Sequence, residues 1–475
     1  MAVCAQLWDR AEVLLVPRGP RTLLHLPDEI LVEIFSCLPG TELPPLALVC
    51  RKFRQILSTD TIWRRRCKQE YGVHENLQVL AATGVSYQEV YINLLHQYRD
   101  ILGLWQLVLG PYGELLNVVV DGFFIIGWMY LLPPYLHIED PMKLKPMFRI
   151  HLTKKKSAIV ECMYGPKGPH SSQIQLLKKD EFCIECLQTH YQQVSGEQQE
   201  VFEAWLQDYM SWAMDDLDEE DLEDSILMKF KYISDNDNCF ICRRIYHPPN
   251  RPDEFMKAGF FKGSYNCHGL EIIMLSFHES VAKATKITGD PNVPAGKLTL
   301  EVDLSRPVRL PALEHLRNMD ELSRVILDIH EQINREKLLA RSQEEAAGVR
   351  GEEPVQGSSP SLKSKDKQLG AQGDQKPPKQ NAFALPDEIM ANVYCPNNYR
   401  MCFFGTGLIA GHGFSSPERT PGLFILFDDD RFGFIWLELK SFSLYSRMRD
   451  RFQNSQPPSH EAFDNMLKDM ELWID

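Results

Sequence analysis

Five residues able to ligate a soft metal gather within thirty positions: Cys162, His170, Cys183, Cys186 and His190. The run Cys183-Ile184-Glu185-Cys186 has the two-residue gap with which neighbouring side chains bind Zn²⁺. Cys239 and Cys242 repeat that gap and make a four-cysteine ribbon conceivable, although about fifty residues separate the two pairs. The competing reading is of ordinary reduced cysteines and surface histidines. A zinc ion on such residues would staple a long loop and take no part in chemistry.

A second chemical candidate is the loop Ile287 to Gly296, ITGDPNVPAG, in which Asp290-Pro291-Asn292 forms a tight turn. A carboxylate such as Asp290 accepts hydrogen bonds from a carboxamide NH₂ but repels another carboxylate. At 4 Å that repulsion is about 1 kcal/mol in water and about 4 kcal/mol at an effective dielectric of 20. A third is GTGLIAGHG, Gly405 to Gly413. As a dinucleotide fingerprint it is weak, because the turn-rich FSSPERTPG follows where a helix should stand. Glycines there permit close backbone approach, which suits capture of a peptide end, and Thr406 and His412 are candidate pocket groups. G-x-S-x-G, P-loop and H-E-x-x-H motifs are all absent, so the chain is not read as an enzyme.

The scaffold that must position these groups is large. With 475 residues, 44% of them hydrophobic, the chain has material for two or three domains. A net charge of −14 argues against general nucleic-acid binding. Twelve scattered cysteines and an N-terminus without a signal-peptide pattern favour reduced thiols in a cytoplasmic or nuclear setting. Leu115 to Leu132 is long enough to span a bilayer, but Asp121-Gly122 at its centre marks a β-hairpin, so no membrane role is expected.

From Leu104 onward the apolar period is that of strands: LWQLVLG, LLNVVVD, FFIIGWMYL, MFRIHL, AIVECMY, ILMKFKYI, LEIIMLSF, KLTLEVDL, MCFFGTGLIAG, GLFILFD and FGFIWLELKSFSLY. So many strands with few helices predict an antiparallel barrel or sandwich. Helices are expected over Phe202 to Leu217 and Glu321 to Leu339, and DDDR at Asp428 to Arg431 reads as a hairpin turn. Residues 342–382 lack aromatics and are expected to form a disordered loop within the β domain.

Before these strands, Leu26 to Leu57 carries two amphipathic helical stripes: Leu26, Ile30, Leu31, Ile34, Phe35 and Leu38, then Leu46, Val49, Cys50, Phe53, Ile56 and Leu57. Some forty residues are a marginal size for a core of their own. LPDEILVEIFSCLP, LALVCRKFRQIL and DTIWRR resemble an F-box, and the resemblance resolves the difficulty by implying that a partner covers the stripe. In that family the partner is Skp1, which links the receptor to cullin-1 in an SCF ubiquitin ligase. The implied contact residues are Leu26, Pro27, Ile30, Leu31, Ile34, Phe35, Leu46, Val49, Phe53 and Trp63. If Leu31, Ile34, Phe35 and Leu46 face solvent, a partner is required; burial by residues 73–102 would remove that support.

PYGELLNVVVDGFFIIGWMYL, ECMYGPKGPH and ITGDPNVPAG are similar to the substrate domain of one branch of the F-box family. That similarity implies a non-catalytic receptor for cell-cycle regulators, D-type cyclins among them, in the DNA damage response. It also implies that the β domain reads substrate C-termini, including amidated ones, with Asp290 in the pocket. For the metal it prefers Cys162, His170 and Cys186 with a fourth histidine. Gln192 stands at that fourth position, so His190 is named, with Cys183 as its rival. The expected fold is α+β: an N-terminal helical F-box followed by a mainly antiparallel β-barrel-like substrate domain with helical insertions. Its parts are a flexible N-terminus (1–21), the F-box (22–72), a helical linker (73–102) and the β domain (103–475). The alternative is a small-molecule-binding or hydrolytic β-barrel protein with a helical dimerisation element.

Overall fold

The structure, a computed structural model, describes residues 22–74, 84–132, 138–164, 168–187, 198–206, 226–232, 239–250, 254–265, 268–308, 320–328 and 398–472, with residue 396, residues 381–382 and a few positions between 330 and 339. Four helices open it: α1 (Asp28–Ser36), α2 (Leu43–Val49), α3 (Arg51–Leu57) and α4 (Asp60–Tyr71). Asp28 and Glu29 lie in the first turn of α1, where the helix dipole favours negative charge. Gly72 closes α4 at φ 72°, a left-handed conformation that glycine adopts without a steric penalty.

The helical stripes divide between two destinations. Leu31 and Phe35 are buried (0% and 2% exposed), and Phe35 meets Phe53 edge-on at 5.0 Å. Trp63 is buried too, donates its indole N–H to the Leu57 carbonyl at 2.6 Å, and packs against Tyr91 at 5.2 Å. Tyr91 belongs to α5 (Tyr87–Val90) and the π-helical turn that continues it, Tyr91–His96. Leu31, Phe35, Phe53 and Trp63 are therefore core residues, contrary to the expectation that Leu31 and Phe35 face solvent. What remains exposed is another face of the same helices: Ile30 (47%), Ile34, Leu48 (77%) and Val49 (65%), with Leu23 and Leu24 ahead of α1. Pro27 is exposed and Leu26 and Leu46 are half-buried at its rim.

The single β domain expected from the sequence is two closed antiparallel barrels of eight strands each. The first comprises β1 (Gly103–Leu107), β2 (Glu114–Asp121), β3 (Phe124–Leu131), β4 (Lys143–Leu152), β5 (Ala158–Cys162), β6 (His170–Lys178), β7 (Glu181–Cys186) and β8 (Cys239–Ile245), with β1 pairing β8 to close it. The hairpin at Asp121-Gly122 is present, with Gly122 at φ 61° and Asp121 opposite Phe124.

The second barrel comprises β9 (Gly259–Ser264), β10 (Leu270–His278), β11 (Val281–Lys286) and β12 (Leu298–Val308), then β15 (Met401–Gly411), β16 (Ser415–Leu426), β17 (Arg431–Trp436) and β18 (Ser441–Arg447). Pairing of β18 with β9 closes it. Between them β13 (Asn381–Ala382) and β14 (Asn398–Tyr399) pair only with each other. Most of the expected loop 342–382 lies outside the described residues. The DDDR turn joins β16 to β17, with Asp428 and Arg431 ion-paired at 2.7 Å.

Helical insertions follow the sequence in part. Helix α6 (Gln198–Trp205) begins earlier than expected, and residues 207–217 lie outside the described set. Residues 226–232, expected as a strand, are helical: their i, i+4 pair Ile226 and Phe230 joins the core around Trp205 and Phe202. Residues 320–328 form the expected helix, burying Leu322 and Ile326. Finally α7 (His460–Glu471) inserts Phe463, Met466 and Met470 among Leu104 and Ile245 of the first barrel and Phe260, Ile272 and Met274 of the second. Among the described residues no helix is long and apolar enough to cross a membrane.

Candidate functional site

Barrel strands alternate between interior and exterior, so an ionisable residue in phase with the interior set is costly unless it is paired. Two stand there in the second barrel. Lys286 continues the inward series Ala282 and Ala284 of β11, and Glu271 begins the series Ile273, Leu275 and Phe277 of β10. Lys286 Nζ lies 2.7 Å from Glu271 Oε2 and 2.6 Å from Asp290 Oδ2, and 4.2 Å over the ring of Tyr265. All three charged residues are buried.

Asp290 is held from three sides. Besides Lys286 on Oδ2, its Oδ1 accepts the backbone N–H groups of Asn292 and Val293 at 2.7 and 2.9 Å, the turn geometry expected of Asp-Pro-Asn. Burial alone would raise the Asp290 carboxyl, but Lys286, and His268 3.8 Å away, hold it below the usual carboxylate range. Burial likewise opposes the Lys286 charge, and its two carboxyl neighbours more than offset this and raise it. Glu271 goes the other way: burial pushes its carboxyl well above the ordinary range, with Asp290 adding repulsion against the attraction of Lys286. One cation thus serves two carboxyls, and Asp290, with the extra donors, keeps the negative charge.

The Asp290 loop is clamped between elements. Gly289 donates to the Tyr112 carbonyl and Ala295 to the Pro111 carbonyl, so the loop docks on the β1–β2 turn of the first barrel. A Cβ at Gly289 would lie 2.2 Å from the Ala295 nitrogen, so this close approach requires glycine. On the other side Phe414 donates to the Pro291 carbonyl at 3.1 Å. His412 therefore sits beside the loop, at the exposed tip of the β15–β16 hairpin. Thr406 lies within β15, on the outer face, where Arg419 donates to its hydroxyl at 3.5 Å; it does not join the Asp290 group. GTGLIAG is accordingly strand, and only the His412-Gly413 end is turn.

The metal candidates converge in the first barrel. Cys162 and His170 are direct cross-strand partners on β5 and β6, and Cys186 follows on β7. All three are buried, with their ligand atoms within 4.8 Å of one another. His170 sets Nδ1 3.2 Å from the Gly168 carbonyl and Nε2 3.2 Å from Cys186 Sγ. An imidazole oriented by a backbone carbonyl, with its other nitrogen turned towards two thiols, is a donor set suited to Zn²⁺. Cys183 is not in this group: strand alternation turns it to the other face, where its thiol neighbour is Cys239, opposite Glu185 on the adjoining strand. His190 lies outside the described residues.

Lys286 and Glu271 were not singled out from the sequence, although a signal exists: each is a charge at the inward phase of an otherwise small or apolar alternation. Leu23, Leu24 and Leu48 on the exposed helical face were missed as well.

Residues 23–69 match the F-box-like family, and residues 242–451, covering the second barrel and the Asp290 cluster, match the Cyclin D1 binding domain family. An F-box implies docking on Skp1, so the two together define a substrate receptor of the SCF ubiquitin ligase class. The chain is 61% identical to F-box only protein 31-B of Xenopus laevis, over 99% of its own length and 91% of that protein. It is 59% identical to F-box only protein 31 of Xenopus tropicalis (96% and 90%) and 54% identical to that of Homo sapiens (96% and 88%). The chain belongs to the F-box only protein 31 family.

Proposed function

We propose that this receptor binds the C-terminal tails of its substrates, D-type cyclins and C-terminally amidated proteins among them, at the Lys286–Glu271–Asp290 end of the second barrel. The observation that carries the reading is this buried ionic cluster, inside the region that matches the Cyclin D1 binding domain family and on a loop that the His412 hairpin contacts through Phe414. A chain terminus is the one part of a folded substrate that can present both a backbone end and a distinctive polar group to such a cluster. The chain supplies binding and orientation, and ubiquitin transfer falls to its ligase partners, with cullin-1 reached through Skp1. Degradation of cell-cycle regulators after DNA damage, in the cytoplasm or nucleus, is the setting this reading entails.

Charge balance favours an amide end. Lys286 and Asp290 neutralise each other and Glu271 is held towards its neutral form, so a terminal carboxylate would bring an uncompensated charge into a dry site. Asp290→Asn leaves Lys286 without its counter-charge. Calorimetric titration of the Skp1-bound chain with two peptides, identical except for a carboxamide or carboxylate end, tests this. The amide should bind more tightly to wild type, and the preference should vanish or invert in Asp290→Asn. Failure of both peptides to bind would refute the C-terminal reading and leave the F-box assignment standing.

Cys162, His170 and Cys186 would hold a structural Zn²⁺, with His190 as the named fourth ligand. The ion's part would be to join β5, β6 and β7 at their ends. Metal analysis of the purified chain should return one zinc per molecule, and Cys186→Ser should lose it along with thermal stability.

A further inference from the structure

Strands β1 to β7 of the first barrel lie outside both matched families, and one end of that barrel carries a charge opposite to that of the chain. Although the net charge is −14, the β4–β5 turn holds Lys154, Lys155 and Lys156, and the β6–β7 turn holds Lys178 and Lys179. Since β5 pairs with β6, the two turns stand at the same end of the sheet, two strand spacings or about 10 Å apart. All five lysines are exposed. Lys156 pairs with Glu89 at 2.6 Å, and Lys178 shares Glu181 with Arg243. Lys154, Lys155 and Lys179 form no ion pair among the described residues.

Apolar surface lies beside this charge. The β6–β7 register shifts between Leu176 and Lys178, and at that bulge Leu176 and Leu177 are both exposed, at 47% and 43%. Next to Lys178 and Lys179 a cleft of about 530 Å³ opens between the hairpin, β8 and α7. Arg243 and Tyr246 form one wall, and Ala462, Met466 and Leu472 the other. A volume of this size is typical of binding clefts. Leu472 is 67% exposed at its edge. A single exposed leucine needs no explanation, but three flanking one basic cleft mark a contact surface.

We propose that this end of the first barrel docks an acidic, leucine-bearing segment of a partner protein. Its carboxylates meet Lys154, Lys155 and Lys179, and its apolar side chains rest on Leu176, Leu177 and the Leu472 edge of the cleft. Charge complementarity argues for an acidic partner, because free positive charge is concentrated here on a chain that otherwise repels anions. The same surface argues against a nucleic acid or a lipid surface. Asp180 and Asp469 also line the cleft and would repel a continuous run of phosphates, whereas a peptide can set an apolar residue there. The inference gives the first barrel a binding role of its own and does not depend on the reading of the Asp290 cluster.

The test uses the full chain bound to Skp1 and a fluorescently labelled peptide of Asp, Glu and two Leu. A length of about ten residues, ~33 Å when extended, covers both turns. A second peptide replaces each Leu by Ser. Fluorescence anisotropy should show binding of the leucine peptide that weakens between about 0.1 M and about 1 M salt. The serine peptide should bind about tenfold more weakly, the scale of one buried leucine. Lys154→Glu with Lys155→Glu and Lys179→Glu alters exposed side chains, so the melting temperature should hold while both peptides are lost. Leu177→Ser with Leu472→Ser should weaken the leucine peptide and leave the serine peptide unchanged, a split that a merely structural effect would not produce. No binding by wild type, or wild-type binding by the lysine variant, would overturn the inference. Equal affinity for the two peptides, or displacement by single-stranded DNA or phosphatidylserine vesicles at equal charge, would reduce the surface to an unselective anion patch and overturn it too. Displacement by the amidated peptide used to test the Asp290 cluster would place binding on the second barrel instead, so the two readings fail separately.

Discussion

Asp290, Lys286 and Glu271 show how a charge inside a β-barrel is made tolerable and what it costs. Asp290 has its pKa lowered by folding, so it contributes stability above its unfolded pKa, and that contribution is lost as pH falls towards the folded value. Glu271 has the opposite sign. Its carboxyl is raised in the folded state, so above pH of about 4.5 the unfolded chain binds fewer protons than the folded one and stability declines with pH. Glu271→Gln should therefore gain stability over wild type as pH rises from 5 to 7, by up to about 1.4 kcal/mol per pH unit while Glu271 stays protonated in the fold. Denaturant melts at three pH values would read this, and a gain independent of pH would reject it. The sequence announced Asp290 through its Asp-Pro-Asn turn, because turns have local rules. It did not announce that Glu271 faces Lys286, since which strand pairs with β11 is a matter of tertiary register. The candidate metal donors occupy a middle ground. Cys162, His170 and Cys186 stand out by type, but only the pleat of β7 separates Cys186 from Cys183, three residues away and on the opposite face.

Strands and helices were legible where one apolar class dominated. LLNVVVD and FFIIGWMYL announce β2 and β3 because both of their faces are packed, and the Asp-Gly turn between them fixes the register. Strands β6, β7, β8, β9 and β11 were missed because each mixes polar or basic residues into its apolar run, as in HSSQIQLLK, CFICRRI and VAKATK. The helices pose a different problem, since periodicity reveals that a face is apolar without saying what covers it. Leu31 is covered by its own neighbours and Ile34 is not. The prediction at this scale separates them. Ile34→Asp with Leu48→Asp should abolish co-purification with Skp1 and leave the melting temperature near that of wild type. Leu31→Ala should instead cost about 2–5 kcal/mol of stability through the cavity it leaves. Loss of fold in the first variant, or indifference in the second, would show that the partner-facing surface has been assigned to the wrong side. At the Asp290 loop, Gly289→Ala should weaken peptide binding without touching an ionisable group, because a Cβ there displaces the loop from Ala295.

Across the whole molecule, the hydrophobic interior is continuous from the F-box into the first barrel, where Tyr87 of α5 meets Phe123 of the β2–β3 turn at 6.0 Å. The second barrel joins through a separate seam, in which α7 stands between the two sheets. The expected uncoupling follows from that geometry. Phe463→Ala with Met470→Ala should split a single thermal transition into two, the second barrel melting apart from the rest, as calorimetry would reveal. One transition at a lower temperature would mean that the seam between barrels is strong without the helix. The seam also bears on the proposed function: the Skp1-facing helices and the proposed substrate site are held in a fixed relation only while it is closed, so the same double variant should bind peptide and Skp1 yet ubiquitinate poorly.

Each barrel is sealed by pairing its earliest strand with its last, β1 with β8 and β9 with β18. During synthesis this becomes a schedule. At about 5–20 residues per second, the F-box helices leave the ribosome well before β18 exists, and until then the second sheet has two open edges. A nascent chain can thus present its adaptor-binding helices long before its second barrel can close, and a chain truncated anywhere short of β18 would keep the F-box and lose that closure.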